Sequence, residues 1–188
     1  MQKEDNRLGR ENLEEETVTS PQDRILFLVG TCFGLGLAPV APGTSGALLG
    51  VVIFVAIGLC LPNPWQPWAV LVSLLLSCIL TIAMSPWAER YWNTKDPKNY
   101  VLDEVAGFLM TIFLFRMESL WVTVLLVFPV TRAFDIVKIP PARQLEYLSR
   151  GWGILADDLW SSLYAAGTLH VLAWWLGWRV SLWGQVVC

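Results

Sequence analysis

The sequence predicts an all-α integral membrane protein, a small bundle of about four to five transmembrane helices with a short glycine-containing re-entrant or broken helix beside them. Three observations carry that prediction. Hydrophobic residues make up 55% of the 188-residue chain and charged residues only 15%, well below the roughly 25% usual in soluble domains. The apolar residues fall in blocks: Ile25 to Ala38, Ser45 to Leu61, Pro67 to Trp87, Val105 to Phe115, Ser119 to Phe134 and Asp158 to Trp178. The ionisable residues gather between the blocks, most of them on one face of the alternation that those blocks imply.

Residues 1–24 read as a disordered, acidic cytoplasmic tail and residues 25–188 as one membrane-embedded domain. Met1 to Arg24 holds 4 of the 13 Lys and Arg and 7 of the 16 Asp and Glu, so the net charge of −3 belongs to the tail. With few large apolar residues, the tail cannot bury enough surface to offset its ordering entropy. Its acidic run Glu14, Glu15 and Glu16 interrupts the direct passage from basic to apolar residues that marks a signal peptide.

The first apolar block is short and carries Gly30, Gly34 and Gly36, which predicts the broken or re-entrant helix, packed on its neighbours by small residues. Two spanning helices follow. Val105 to Phe115 and Ser119 to Phe134 flank the polar apex Arg116 to Glu118, as in a helical hairpin whose open ends lie on one side. That hairpin carries Asp103 and Glu104 towards Arg132, Asp135 and Lys138. Following the alternation, the loops around Pro42, Asp96, Pro140 and Gly153 share a face, and Pro62, Met117 and the C-terminus share the other. The first face, tail included, holds 11 of the 13 Lys and Arg, which predicts that it is cytoplasmic and that the protein lies in the cytoplasmic membrane. Trp65, Trp68, Trp121, Trp175, Trp178 and Trp183 fall near one interface and Trp87, Trp92, Trp152 and Trp160 near the other, as two aromatic belts.

Several chemistries are disfavoured by the residues present. Cys32, Cys60, Cys78 and Cys188 have neither CxxC spacing nor nearby histidines, and none sits in a phosphate-cradling loop. His170, the one histidine, lies well inside the last apolar block, where it reads as structural. No basic patch interleaved with aromatics points to nucleic acid. A metal-activated water is the economical nucleophile that remains.

Four polar clusters mark the predicted cytoplasmic face. Pro39, Ala41, Pro42, Gly43, Thr44, Ser45 and Gly46 precede a spanning helix; they read either as a turn with Thr44 or Ser45 as N-cap, or as a phosphate site made of helix-terminal amides and hydroxyls. Asp96 and Pro97 lead to Asp103, Glu104 and Gly107, where capping explains one acid better than a contiguous pair. Arg132, Asp135 and Lys138 end a helix that Pro140 and Pro141 stop, and Asp135 stands where the helix dipole disfavours an anion. Gly151, Gly153, Asp157 and Asp158 form a glycine-bearing approach to the last helix followed by a second adjacent acid pair, of which one Asp reads as a cap. Two acid pairs plus Asp135 on one membrane face form an oxygen-ligand set for a hard divalent cation, Mg²⁺ above all.

With these residues in view, the chain resembles the phosphatidylglycerophosphatase A family across most of residues 28–170. The resemblance rests on Pro39 with Ala41-Pro42-Gly43-Thr44, on Asp103-Glu104 with Gly107, on Phe134-Asp135-Ile136 with Lys138, and on Gly151-x-Gly153-Ile154 with Asp157-Asp158. Two stretches depart from the family pattern: Lys138-Ile139-Pro140-Pro141, and Leu159-Trp160-Ser161-Ser162, where smaller residues are expected and lipid-side packing would change. The resemblance implies Mg²⁺-dependent hydrolysis of the terminal phosphate of phosphatidylglycerophosphate, a phospholipid substrate, at the inner leaflet. Asp103, Glu104, Asp135, Asp157 and Asp158 would be the catalytic and metal-binding acids, and Thr44, Ser45, Arg132 and Lys138 would contact phosphate and substrate.

Three other classes compete with this reading. A small transporter or ion-binding membrane protein could use the same carboxylates, but these lie at helix ends and not at mid-membrane. A lipid phosphotransferase would need an Asp-Gly-Ala-Arg helix signature that is absent. A purely structural subunit would carry five converging acids as an unneeded desolvation cost.

Overall fold

The computed structural model describes residues 20–137, 139–145, 151–183 and 185–187. Most of the tail and Lys138 therefore lie outside the described residues. The chain forms α1 (Pro21–Gly30), a 3₁₀ turn (Leu35–Leu37), α2 (Pro42–Cys60), α3 (Gln66–Trp92), α4 (Leu102–Leu114), α5 (Leu120–Val137), the short α6 (Ala142–Leu145) and α7 (Gly151–Trp175). A small antiparallel pair, β1 (Val180–Leu182) and β2 (Gln185–Val187), follows, and Val180 also bridges to Met117 at the apex between α4 and α5. Among the described residues, three helical stretches are long and apolar enough to cross a membrane, Pro42–Cys60, Asn63–Trp92 and Leu120–Val137. The fold is thus the membrane-type helical bundle that the composition predicts.

The central element is the shortest of the long helices. At about 1.5 Å per residue, α4 with its 13 residues is roughly 20 Å long, less than the ~30 Å hydrocarbon core. It is buried on nearly every face, with Leu102, Val105, Ala106, Phe108, Leu109 and Ile112 in the core, because α2, α3, α5 and α7 surround it. Its outer neighbours turn large apolar side chains outward: Val52 on α2, Leu75 and Ile79 on α3 and Leu125 on α5 are more than half exposed. Lipid is the solvent for those faces.

The first apolar block is broken, and the break has a backbone cause. Cys32, Phe33 and Gly34 all have positive φ (49°, 59° and 89°) after α1 ends at Gly30. The chain folds back there, and Val101 donates its N–H to the Gly30 carbonyl. Helix α1 begins earlier than the tail boundary drawn from composition, so residues 21–24 form its first turn. Ser20 caps it: the Ser20 hydroxyl accepts from the Asp23 N–H at 3.1 Å and donates to the Asp23 carboxylate at 2.7 Å, while the Trp87 indole donates to the other oxygen at 2.8 Å. Ser20 and Trp87 together hold that carboxyl below its usual range.

Several side chains lie elsewhere than hydropathy alone predicts. Trp65, Trp68, Trp121, Trp152, Trp175 and Trp178 are exposed as belts require. Trp87 and Trp92 instead pack with Phe27 and Tyr91, and Trp183 donates to the Phe113 carbonyl while covering the Arg116 guanidinium at 4.9 Å. Ser161 and Ser162 point into the bundle and not to lipid; the Ser162 hydroxyl lies 2.7 Å from the carbonyls of both Gly107 and Asp158, tying α4 to α7. His170 bonds the Leu114 carbonyl at 3.0 Å and meets the Phe115 ring edge-on, a structural role.

Candidate active site

The α4–α5 hairpin closes as predicted, and its open ends meet the N-terminal ends of α2 and α7. One cavity of about 300 Å³ results, into which all four polar clusters project. Its lining includes Gly43 and Thr44 from α2, Asp103 and Glu104 from α4, Arg132 and Asp135 from α5, and Asp157 and Asp158 from α7. Ser45 does not line it.

Three local features set the geometry. Helix α2 starts with Pro42 at its first position, preceded by Ala41 in the left-handed region (φ 51°, ψ 62°), and no side chain caps it. This corrects the expectation that Thr44 or Ser45 is the N-cap: both fall inside the helix, because Pro42 supplies the preset φ and lacks the N–H that a cap would satisfy. The first-turn amides are left to face the cavity end of the helix. Gly43 lies against Glu104 and Arg132 so closely that a Cβ there would overlap the Glu104 Oε1 atom.

Helix α7 begins at Gly151, so Asp157 and Asp158 stand about two turns inside it. The reading of one of them as a cap therefore fails; both are buried, at 3% and 6% exposure. The early start is possible because Gly151 lets α7 cross α3 closely, against Ser85 and the Ile82 backbone. The loop between α3 and α4 is pinned by Tyr100, whose hydroxyl donates to the Thr81 carbonyl at 2.9 Å.

The charged groups form one network. Arg132 donates to both oxygens of Glu104 and lies 2.9 Å from Asp135 Oδ2. Carboxylate oxygens of Glu104, Asp135 and Asp158, from three different helices, all lie within 4.8 Å of one another. Among the described residues, Asp103 Oδ1 and Asp158 Oδ2 are buried without a hydrogen-bond partner. An all-oxygen, all-carboxylate set with orphaned buried atoms fits a hard divalent cation, which would satisfy atoms that otherwise carry a desolvation penalty.

Sequence reasoning missed the lining residues Lys98, Tyr100 and Val101, and did not count Asp96 among the site acids. The signal for Lys98 was its place in the loop between Asp96 and Asp103, although a lysine in a polar loop usually reads as solvated. Cys32 is near the site but inert. Its S–H contacts the Val101 carbonyl at 3.7 Å and the side chain is fully buried, which disfavours a thiolate nucleophile. Cys32→Ala is accordingly expected to keep phosphate release within a few fold of the parent; loss of activity in a folded variant would make the thiol a participant.

A family model for Phosphatidylglycerophosphatase A matches residues 28–173, the stretch that supplies every described wall of the cavity. The chain belongs to the phosphatidylglycerophosphatase A family. It therefore falls among the phosphoric monoester hydrolases, as the motif resemblance implies. A Bacteroides thetaiotaomicron protein with the provisional name phosphatidylinositol-3-phosphatase is 32% identical over 80% of this chain and 94% of its own. The phosphatidylglycerophosphatase A of Haemophilus influenzae is 30% identical, and that of Escherichia coli 27%, each over 80% of this chain and over 90% and 86% of their own lengths. No solved structure matches the chain.

Proposed function

We propose that the protein is a Mg²⁺-dependent phosphatidylglycerophosphatase that hydrolyses the terminal phosphate of phosphatidylglycerophosphate at the inner leaflet of the cytoplasmic membrane. The observation that carries this reading is the convergence of five acids, Arg132 and the α2 N-terminus on one cavity at the end of a membrane bundle. An acyl-chain pair can stay in the bilayer while its headgroup enters from the side.

Glu104, Asp135 and Asp158 would hold the cation. Bound there, Mg²⁺ would polarise the phosphoryl oxygens and lower the pKa of water. Arg132 would turn guanidinium N–H groups to the phosphate, aided by the first-turn amides of α2, the Thr44 hydroxyl and Lys138. One of the five carboxylates takes a proton from the attacking water as its oxygen bonds to phosphorus. The bond from phosphorus to the glycerol oxygen breaks, and that oxygen takes the proton from the carboxylic acid so formed and leaves as the alcohol of phosphatidylglycerol.

Phosphate release by the purified protein in detergent tests this directly. Phosphatidylglycerophosphate is expected to be hydrolysed in Mg²⁺ and spared in chelator, with phosphatidic acid a poorer substrate. The name of the Bacteroides thetaiotaomicron relative makes phosphatidylinositol 3-phosphate a necessary third arm; preference for it would overturn the substrate, and chelator-resistant turnover would overturn the metal.

Orientation follows from the asymmetry of 11 against 2 Lys and Arg. Asn93, exposed at the C-terminal end of α3, then faces the cytoplasm. In intact cells Asn93→Cys is expected to resist an impermeant thiol reagent and to react after permeabilisation. Ready labelling of intact cells would place the cavity at the other leaflet.

A further inference from the structure

We infer that Lys98 reads the internal phosphodiester of the substrate, so that the cavity selects lipids whose terminal phosphomonoester stands beyond a diester-linked headgroup. The inference rests on the reading of the cavity as a phosphatidylglycerophosphatase site. Position is the first argument. The cavity has a buried floor, where Arg132, Asp135, Asp157 and Asp158 are at most 9% exposed, and an open rim, where Lys98 is exposed. Arg132 belongs to the floor, paired with Glu104 and Asp135, beside which the monoester reacts. Among the described residues Lys98 is the other cation of the lining, and it takes part in neither of those pairs.

The loop around Lys98 is held on both sides, which fixes where its charge stands. Pro97 is buried, and its carbonyl accepts the Tyr100 N–H at 2.9 Å. The Tyr100 hydroxyl donates to the Thr81 carbonyl on α3, and the Val101 N–H donates to the Gly30 carbonyl at the end of α1. The Asn99 carbonyl packs against Gly36, where a Cβ would overlap it. A lysine on so fixed a backbone offers a hydrated point charge on a flexible stem, which suits a phosphate at an open edge better than bidentate capture at a reacting centre. Substrate chemistry is the second argument. Phosphatidylglycerophosphate carries two phosphates, and with its monoester at the floor the diester lies one glycerol unit farther out, towards the acyl chains. At about 300 Å³ the cavity stands at the low end of small-molecule sites, with room for a headgroup and not only for a phosphoryl group. Asp96 shares the rim, so a cation there is what admits an anionic diester. Phosphatidic acid has no diester and leaves Lys98 unused.

The test uses the full chain in detergent, with initial rates of phosphate release from phosphatidylglycerophosphate and from phosphatidic acid in Mg²⁺. Lys98→Gln keeps a stem and removes the charge. It is expected to raise KM for phosphatidylglycerophosphate by about tenfold with kcat little changed, since a hydrogen bond to a charged group contributes about that factor. The preference for phosphatidylglycerophosphate over phosphatidic acid, as a ratio of kcat/KM, should fall by the same factor, and Lys98→Arg should keep most of it. Where phosphatidic acid is not turned over at all, the KM shift and its absence in Lys98→Arg decide. Lys98→Met is the second uncharged variant should Lys98→Gln fold poorly. An unchanged KM in the uncharged variants, or an equal loss on both lipids, would overturn the role of Lys98 and leave the phosphatase reading standing. A parent that releases no phosphate from phosphatidylglycerophosphate would overturn both.

Discussion

Asp135→Asn and Asp158→Asn are each expected to lower phosphate release by more than about a hundredfold while leaving the protein folded and inserted. Asparagine keeps the size and much of the hydrogen bonding of aspartate and removes its charge. A helix cap tolerates that exchange, since Asn and Asp cap about equally well. A ligand of a hard divalent cation does not, because carboxylate charge supplies the affinity. Asp158 has no capping role to retain, being about two turns inside α7. Stability adds a second readout. Without metal, Asp158 is a buried carboxylate with an unpartnered Oδ2, so removing its charge is expected to leave the chelator-treated protein as stable as the parent or more so. Turnover near the parent rate in both variants would sink the metal-site reading. A large loss of stability in metal-free Asp158→Asn would show that the charge is satisfied by protein groups instead.

Gly43→Ala is expected to lose activity by about tenfold to a hundredfold without touching an ionisable residue, as misplacements of about 1 Å at a reacting centre do. Its new Cβ would overlap Glu104 Oε1 and lie 3.1 Å from Arg132 Nη2. The helix cannot easily retreat, because Pro42 and the positive φ of Ala41 set the entry of the chain into α2. The pair of Glu104 and Arg132 must move instead, and with it one of three carboxylates that share a ligand-sized space. Gly167→Ala on α7 is the control: nothing lies within 4 Å of its Cβ position, and an alanine in a helix is worth up to about 1 kcal/mol over glycine. Parent-like turnover by Gly43→Ala would mean that the close approach of α2 to the acids has no part in catalysis.

The sequence alone determined the solvent of this protein and the end of the bundle at which its chemistry sits. Both are local properties: blocks of apolar residues need lipid or burial, and the polar clusters at Pro42, Asp103, Arg132 and Asp157 recur where successive blocks end, so any alternating path brings them to one side. The motif pieces within those clusters then sufficed for the family. Tertiary structure decided what depends on distance between helices. Five acids were legible as a set, but only the packing of α4, α5 and α7 puts Glu104, Asp135 and Asp158 within 4.8 Å of one another and engages Arg132 with two of them. The early start of α7 depends on a close crossing with α3 at Gly151, a contact 66 residues distant in sequence from Ser85. That crossing turned Asp157 and Asp158 from apparent caps into interior groups. Lys98, Ser162 and Trp183 were misjudged or missed for the same reason: hydropathy ranks a side chain by its own polarity, whereas burial between helices, exposure to lipid and entry into a shared cavity are settled by the neighbours that the fold supplies.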